Sequence, residues 1–214
     1  DALVTNPSKG ADVFFFEAGQ IRDMIAQNLL QPLTGDYASY GAAVASRDIE
    51  SYSDAIKSNN AYYGFPTTTD NGWFMWYDSE FFTEDDITSL DTIVEKSKQN
   101  NRQIAFPYND GWYISLFFFS TGCTMDYVGD EYKADIAGAN GEIAGKALVK
   151  YFGKDNNVMD NGKICIFAPT TDTLNTAAAN GIKNKTVSCG FIGTWVAKDM
   201  PANAKAAPCP SFTV

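Results

Sequence analysis

Strand-like and helix-like segments alternate along nearly the whole chain, and this alternation limits the fold more than any other feature. ADVFFF, residues 11–16, reads as a buried strand. In the helix that follows, Ile21, Met24, Ile25 and Leu29 recur at three- and four-residue spacing, and QPLTGDY closes it with Pro32 and Gly35. AYYGFP is a second strand-like piece ended by Pro66, and GWFMWYD resumes as a strand. In TEDD, Thr83 with Asp86 three residues on is a capping pattern for a helix that turns Ile87, Leu90, Ile93 and Val94 inward. QIAFPY, residues 103–108, is a short strand. Asn109 or Asp110 then caps a helix ending near Gly122. EIAGKALVKYF, residues 142–152, reads as a helix with Ile143, Leu148 and Phe152 inside. KICIFA is a strand, TDTLNTAAANG a helix stopped by Gly181, TVSCGFIG a strand, and AKAAPCPSF an extended close. The pattern predicts an α/β fold with a parallel or mixed sheet.

Composition removes several functions. The net charge is −10, and no Lys/Arg cluster could track a phosphate backbone, so neither nucleic acid nor an anionic membrane is an expected partner. The chain has no histidine, which removes the Ser-His-Asp arrangement and most zinc sites. Neither glycine-rich phosphate loop pattern occurs, and DNNVMDNGK lacks the ligand spacing of a calcium loop. Cys123, Cys165, Cys189 and Cys209 form no CxxC pair; two disulfides or four thiols are open, and the wide spacing favours thiols. No apolar run is long enough to span a bilayer. A start at Asp1 without Met points to a processed, secreted or truncated product.

The candidate chemistry sits where strands end. Glu17, Asp70 and Asp110 follow strand-like segments, and in open α/β sheets ligands bind beyond strand ends. Each carboxylate is a hydroxyl acceptor, a metal ligand or a general acid on one reading, and a helix cap on the other. Trp73, Trp112, Tyr113 and Trp195 are the rings of interest, with core packing as the plain alternative. Rings that cover the apolar faces of a sugar, beside carboxylates that take its hydroxyl rim, make an oriented pocket. A glycosidase needs paired carboxylates, and the sequence leaves that alternative open.

KGADVFFFEAGQIRDMIAQNLLQPL, YGFPTTTDNGWFMWYD, TSLDTIVEKSK, NDGWYISLFFFSTGC, CGFIGTW and AKAAPCPSF resemble, in order and spacing, segments of the bacterial extracellular solute-binding proteins of the maltose/maltodextrin type. The resemblance covers residues from about 10 to 212. It implies a two-lobed periplasmic-binding-protein-like fold with hinge crossovers: residues 1–66 in the first lobe, 67–204 in the second, and 205–214 returning to the first. It implies an oligosaccharide ligand delivered to an ABC permease, with no catalysis, cofactor or metal. It also implies a monomer outside the cell, either a lipoprotein or periplasmic. By position, Phe16 stands where the family has a stacking tryptophan, Asp70 matches an acidic hinge contact, and Asp110, Trp112 and Tyr113 match an acid followed by binding aromatics. Trp195 matches the second lobe's stacking tryptophan. Gly19 and Gln20 replace two charged sugar contacts. The family's opening strand and helix and its closing helical region have no counterpart, so the first lobe is expected to be incomplete.

Overall fold

Residues 11–16, expected as a strand, pair with no other strand in the computed structural model, which describes residues 5–45, 55–67, 72, 74–128 and 131–214. The chain divides into two compact units, 1–69 and 70–214. In the smaller unit Val13 and Phe15 lie in the open, while the Phe14 and Phe16 rings meet at 6.0 Å. An extended apolar run becomes a strand only where a neighbour completes its hydrogen-bond ladder. Among its described residues are helices α1 (Ile21–Ala26) and α2 (Asp36–Ala45) and a two-residue antiparallel pair, β1 (Lys57–Ser58) with β2 (Ala61–Tyr62). Asn59 and Asn60 both have positive φ, the left-handed backbone that asparagine tolerates in a tight hairpin turn.

The larger unit is built on a mixed five-stranded sheet in the order β7–β4–β8–β3–β9. Its strands are β3 (Met75–Asp78), β4 (Gln103–Ala105), β7 (Ile166–Phe167), β8 (Val187–Phe191) and β9 (Ala204–Ala207). β4 lies between β7 and β8 and is parallel to both; β3 runs antiparallel to β8 and to β9. β8 is buried at every position, as a central strand covered on both faces must be. A separate hairpin joins β5 (Thr124–Val128) to β6 (Glu131–Asp135), and the β6 residues are exposed.

Four helices share the core of this unit: α3 (Leu90–Gln99) and α6 (Thr171–Lys183) lie on the sheet, and α4 (Gly111–Ser120) and α5 (Ala139–Phe152) pack against each other. Thr83 and Asp86 make the reciprocal cap read from the sequence, Thr83 N–H donating to Asp86 Oδ2 at 2.8 Å and Asp86 N–H to Thr83 Oγ1 at 3.3 Å. That box opens only a short 3-10 turn, Asp86–Thr88; α3 starts later, capped by the Ser89 hydroxyl. The inner face of α5 is Gly141, Ala144, Ala147 and Tyr151, whereas Ile143, expected inside, is 42% exposed. At Gly141 the chain that enters the helix leaves no room for a side chain: a Cβ there would fall 1.7 Å from the Ile136 carbonyl oxygen. Gly181 does not stop α6, which continues to Lys183. It lets the helix approach Val187, whose methyl would sit 2.3 Å from an added Cβ.

The closing segment, expected as a return to the first lobe, holds to β3 and to the start of α3. β9 pairs with β3 from Met75↔Ala207 to Asp78↔Ala204, giving β3 a partner on its second edge. Beyond it, Ser211 bridges to Ser89, Phe212 packs 5.0 Å from Phe117, and Thr213 hydrogen-bonds Asp91 and Lys150. All of these contacts belong to the 70–214 unit.

The four cysteines are free thiols. Burial pushes Cys165 up to about 11 and Cys189 up to about 12, so both are protonated and inert at neutral pH. Asp86 moves the other way. The Lys96 ammonium at 2.6 Å and the Thr83 donors hold its carboxyl down from 3.8 to about 2. A carboxyl lowered on folding stabilises the fold above its unfolded pKa, and that contribution disappears as pH falls through the folded one. Acid unfolding of this unit should therefore steepen between about pH 4 and about pH 2. Asp86→Asn should flatten that part of an acid titration followed by near-UV circular dichroism; an unchanged slope would contradict the assignment.

Candidate functional site

Parallel pairing puts the exits of β4 and β8 side by side. Ala105 pairs with Gly190, so the chain leaves both strands on one edge of the sheet, about 5 Å apart in the pairing direction. The exit of β7 is next to that of β4, through Ala105↔Phe167. β3 runs oppositely, so its first residue, Met75, pairs with Phe191 at that same edge. A single edge thus gathers the start of β3, the 106–112 turn, the 168–171 turn and the 192–195 turn. This is the strand-end geometry at which open α/β sheets bind ligands.

The β4 exit carries Asp110 and Trp112. Asp110 is the N-cap of α4: its Oδ1 accepts from the Trp112 backbone N–H at 2.9 Å, and its carbonyl accepts from Tyr113 and Ile114 N–H. The cap fixes the first turn of the helix and turns Trp112 outward, 45% exposed. Tyr113 goes inward. It is 6% exposed and lies edge-on to Phe106, with centroids 6.4 Å apart. Adjacent helical residues differ by about 100° in direction, so one ring of the pair must enter the core. Burial first, and the Asp110 charge second, hold the Tyr113 phenol above its ordinary pKa. The structure places this ring, expected as a ligand contact, in the core.

The β8 exit carries Trp195 on the 3-10 turn Thr194–Asp199. Its indole Nε1–H donates to Asn175 Oδ1, on α6, at 3.3 Å. The ring lies against the backbone of Gly193, where an added Cβ would fall 1.8 Å from Cζ3. Trp195 is nonetheless 44% exposed. Trp76, on β3, is half-buried, and its Nε1–H donates to the Gly193 carbonyl at 3.2 Å. The Ile192 N–H donates to the Phe74 carbonyl at 3.1 Å. The aromatic cluster at 73–77 therefore includes a strut that holds the Trp195 turn.

Of the residues singled out in the sequence, the structure brings Asp110, Trp112 and Trp195 to this one edge. Phe16 belongs to the 1–69 unit, half-buried 3.3 Å from the position of a Cβ at Gly64. Glu17 is exposed and precedes the 3-10 turn Ala18–Gln20 without capping it through its side chain. Asp70 and Trp73 lie outside the described residues. Sequence reasoning missed Asn175 and Trp76: neither forms a motif, and each acts through a partner 20 or more residues away. Among the described residues no group of three or more His, Cys, Asp or Glu is placed to hold a metal, and no helix is long and apolar enough to cross a membrane. Chemically, the edge offers two half-exposed indoles and an acceptor carboxylate.

A family model described as bacterial extracellular solute-binding protein matches residues 1–212. One solved structure, determined with acarbose, is 27% identical with a TM-score of 0.74, and the match covers 100% of this chain and 52% of that one. The maltodextrin binding protein MalE1 from L. casei BL23, solved without ligand, is 17% identical with a TM-score of 0.72, covering 99% of this chain and 52% of its own; that likeness is one of fold. No curated protein matches the chain. The chain spans about half the length of both solved relatives.

Proposed function

The chain belongs to the bacterial extracellular solute-binding proteins, and from that premise we propose that it captures a linear oligosaccharide of the maltodextrin class and hands it, unaltered, to an ABC permease. The carrier works outside the cell as a monomer, held at the membrane as a lipoprotein or free in the periplasm. The observation that carries the sugar reading is the pairing of two half-exposed tryptophans, Trp112 and Trp195, with the Asp110 carboxylate at the exits of neighbouring parallel strands. Stacked indoles suit the C–H faces of pyranose rings, and a carboxylate accepts from two hydroxyls at once. The 27% identical relative determined with acarbose supports a sugar-like ligand. Asp70 is proposed as a further acidic contact.

Binding without turnover separates this reading from a hydrolase. The full-length protein incubated with maltodextrins should quench or shift tryptophan fluorescence saturably and release no new reducing ends. Reducing ends that accumulate with time, and vanish in Asp110→Asn, would assign an enzyme instead.

A further inference from the structure

We infer that Asn175 and Gly193 are positioning residues that fix Trp195 as a platform open on one face only. The inference takes its purpose from the sugar-binding reading, but the geometry stands alone. Gly193 has φ −80° and ψ −173°, a backbone that any residue adopts. Its glycine identity is therefore set by space and not by conformation. A Cβ there would lie 1.8 Å from Cζ3, 2.3 Å from Cη2 and 2.4 Å from Cε3 of Trp195. The benzo ring thus covers the Gly193 Cα, and that face of the indole is closed. The in-plane rotation is fixed by the second contact, Nε1–H to Asn175 Oδ1 at 3.3 Å. Gly193 in turn is held from the sheet, since its carbonyl accepts from Trp76 Nε1–H at 3.2 Å and the preceding Ile192 N–H bonds Phe74. Two contacts from different elements, α6 and the β8 exit, leave a large ring 44% exposed yet without rotational freedom. A ring ordered before the ligand arrives loses little entropy on stacking.

The test uses the full-length protein labelled with 15N, in which the Trp195 indole N–H resonance is identified by its loss in Trp195→Phe. In Asn175→Ala that resonance should shift and exchange faster with solvent, while the other indole resonances stay in place. Maltodextrin affinity should fall about fivefold, the loss of one hydrogen bond's worth of ordering. Asn175→Asp keeps an acceptor oxygen and removes the amide donors. It should restore both the resonance and the affinity, whereas a direct amide-to-sugar contact would leave affinity low. Gly193→Ala should move the Trp195 resonance with Asn175 intact. An unmoved resonance in both Asn175→Ala and Gly193→Ala would overturn the inference. If no glycan binds the wild type, the sugar reading fails, and the resonance still decides the clamp.

Discussion

Asp78→Ala should lower the unfolding free energy by about 3–5 kcal/mol, because it leaves a buried guanidinium without its counter-ion. Asp78 is fully buried at the far end of β3, away from the candidate site. Arg102 Nη2 donates to its Oδ2 at 2.8 Å, Asn203 Nδ2 to Oδ1 at 2.7 Å, and the Glu80 N–H to Oδ1 at 3.1 Å. Lys185 reaches the same carboxylate at 3.2 Å and Glu80 at 2.6 Å. Burial pushes Asp78 up, but the hydrogen bonds from Asn203, Arg102, Glu80 N–H and Lys185 outweigh it, and the carboxyl stays below its ordinary value. Arg102 is 7% exposed and lies 4.4 Å over the Phe81 ring, and its Nη2 also donates to the Val187 carbonyl at 2.7 Å, so the loss of Asp78 leaves its charge with a neutral acceptor in place of a carboxylate. Urea unfolding should show the loss at an unchanged m-value. Lys185→Ala should cost much less, because Lys185 is half-exposed and screened by solvent. Replacing Asp78 and Arg102 together by apolar residues should recover part of the single-mutant loss. Equal losses in Lys185→Ala and Asp78→Ala would contradict a buried core to the network.

Trp195→Ala and Trp112→Ala should each weaken maltodextrin binding by about tenfold to a hundredfold in the full-length protein. The basis is area: stacking on a sugar removes apolar ring surface from water at about 25 cal/mol per Å², or roughly 1–3 kcal/mol for a half-exposed indole. The two rings sit on different turns, so their effects should add within experimental error unless one sugar ring contacts both. Phenylalanine at either position keeps a stacking face and should recover most of the loss. Asp110→Asn should cost less than Asp110→Ala. The amide keeps one acceptor for the Trp112 N–H cap, whereas alanine removes the cap itself, worth about 1 kcal/mol. Thermal melting checks that any loss of affinity is not a loss of fold.

Local signals were legible in the sequence, and long-range ones were not. Asp110 could be read as a cap because N-cap chemistry acts over two or three residues. The strands at 75–78, 103–105 and 187–191 could be read from short β-branched or aromatic runs between turns. The inward turn of Tyr113 could not, because GWYISLFFFS is apolar on every side and its periodicity names no inner face. The 11–16 run failed for a related reason: hydrophobicity nominates a strand, but only a neighbouring strand makes one. The Asp78 network joins residues 24, 107 and 125 positions apart, a distance at which no sequence pattern operates. The partner of the closing segment was not legible either, because an extended segment pairs wherever an edge is open, and here that edge is β3's.

The Trp112–Asp110–Trp195 edge is the proposed sugar site. Calorimetric titration of linear maltodextrins into the full-length wild type and into the Trp112→Ala/Trp195→Ala double variant tests it most directly. Saturable heat is expected in the wild type, and no measurable binding in a double variant that melts at the wild-type temperature. Equal affinity in the two proteins would contradict it.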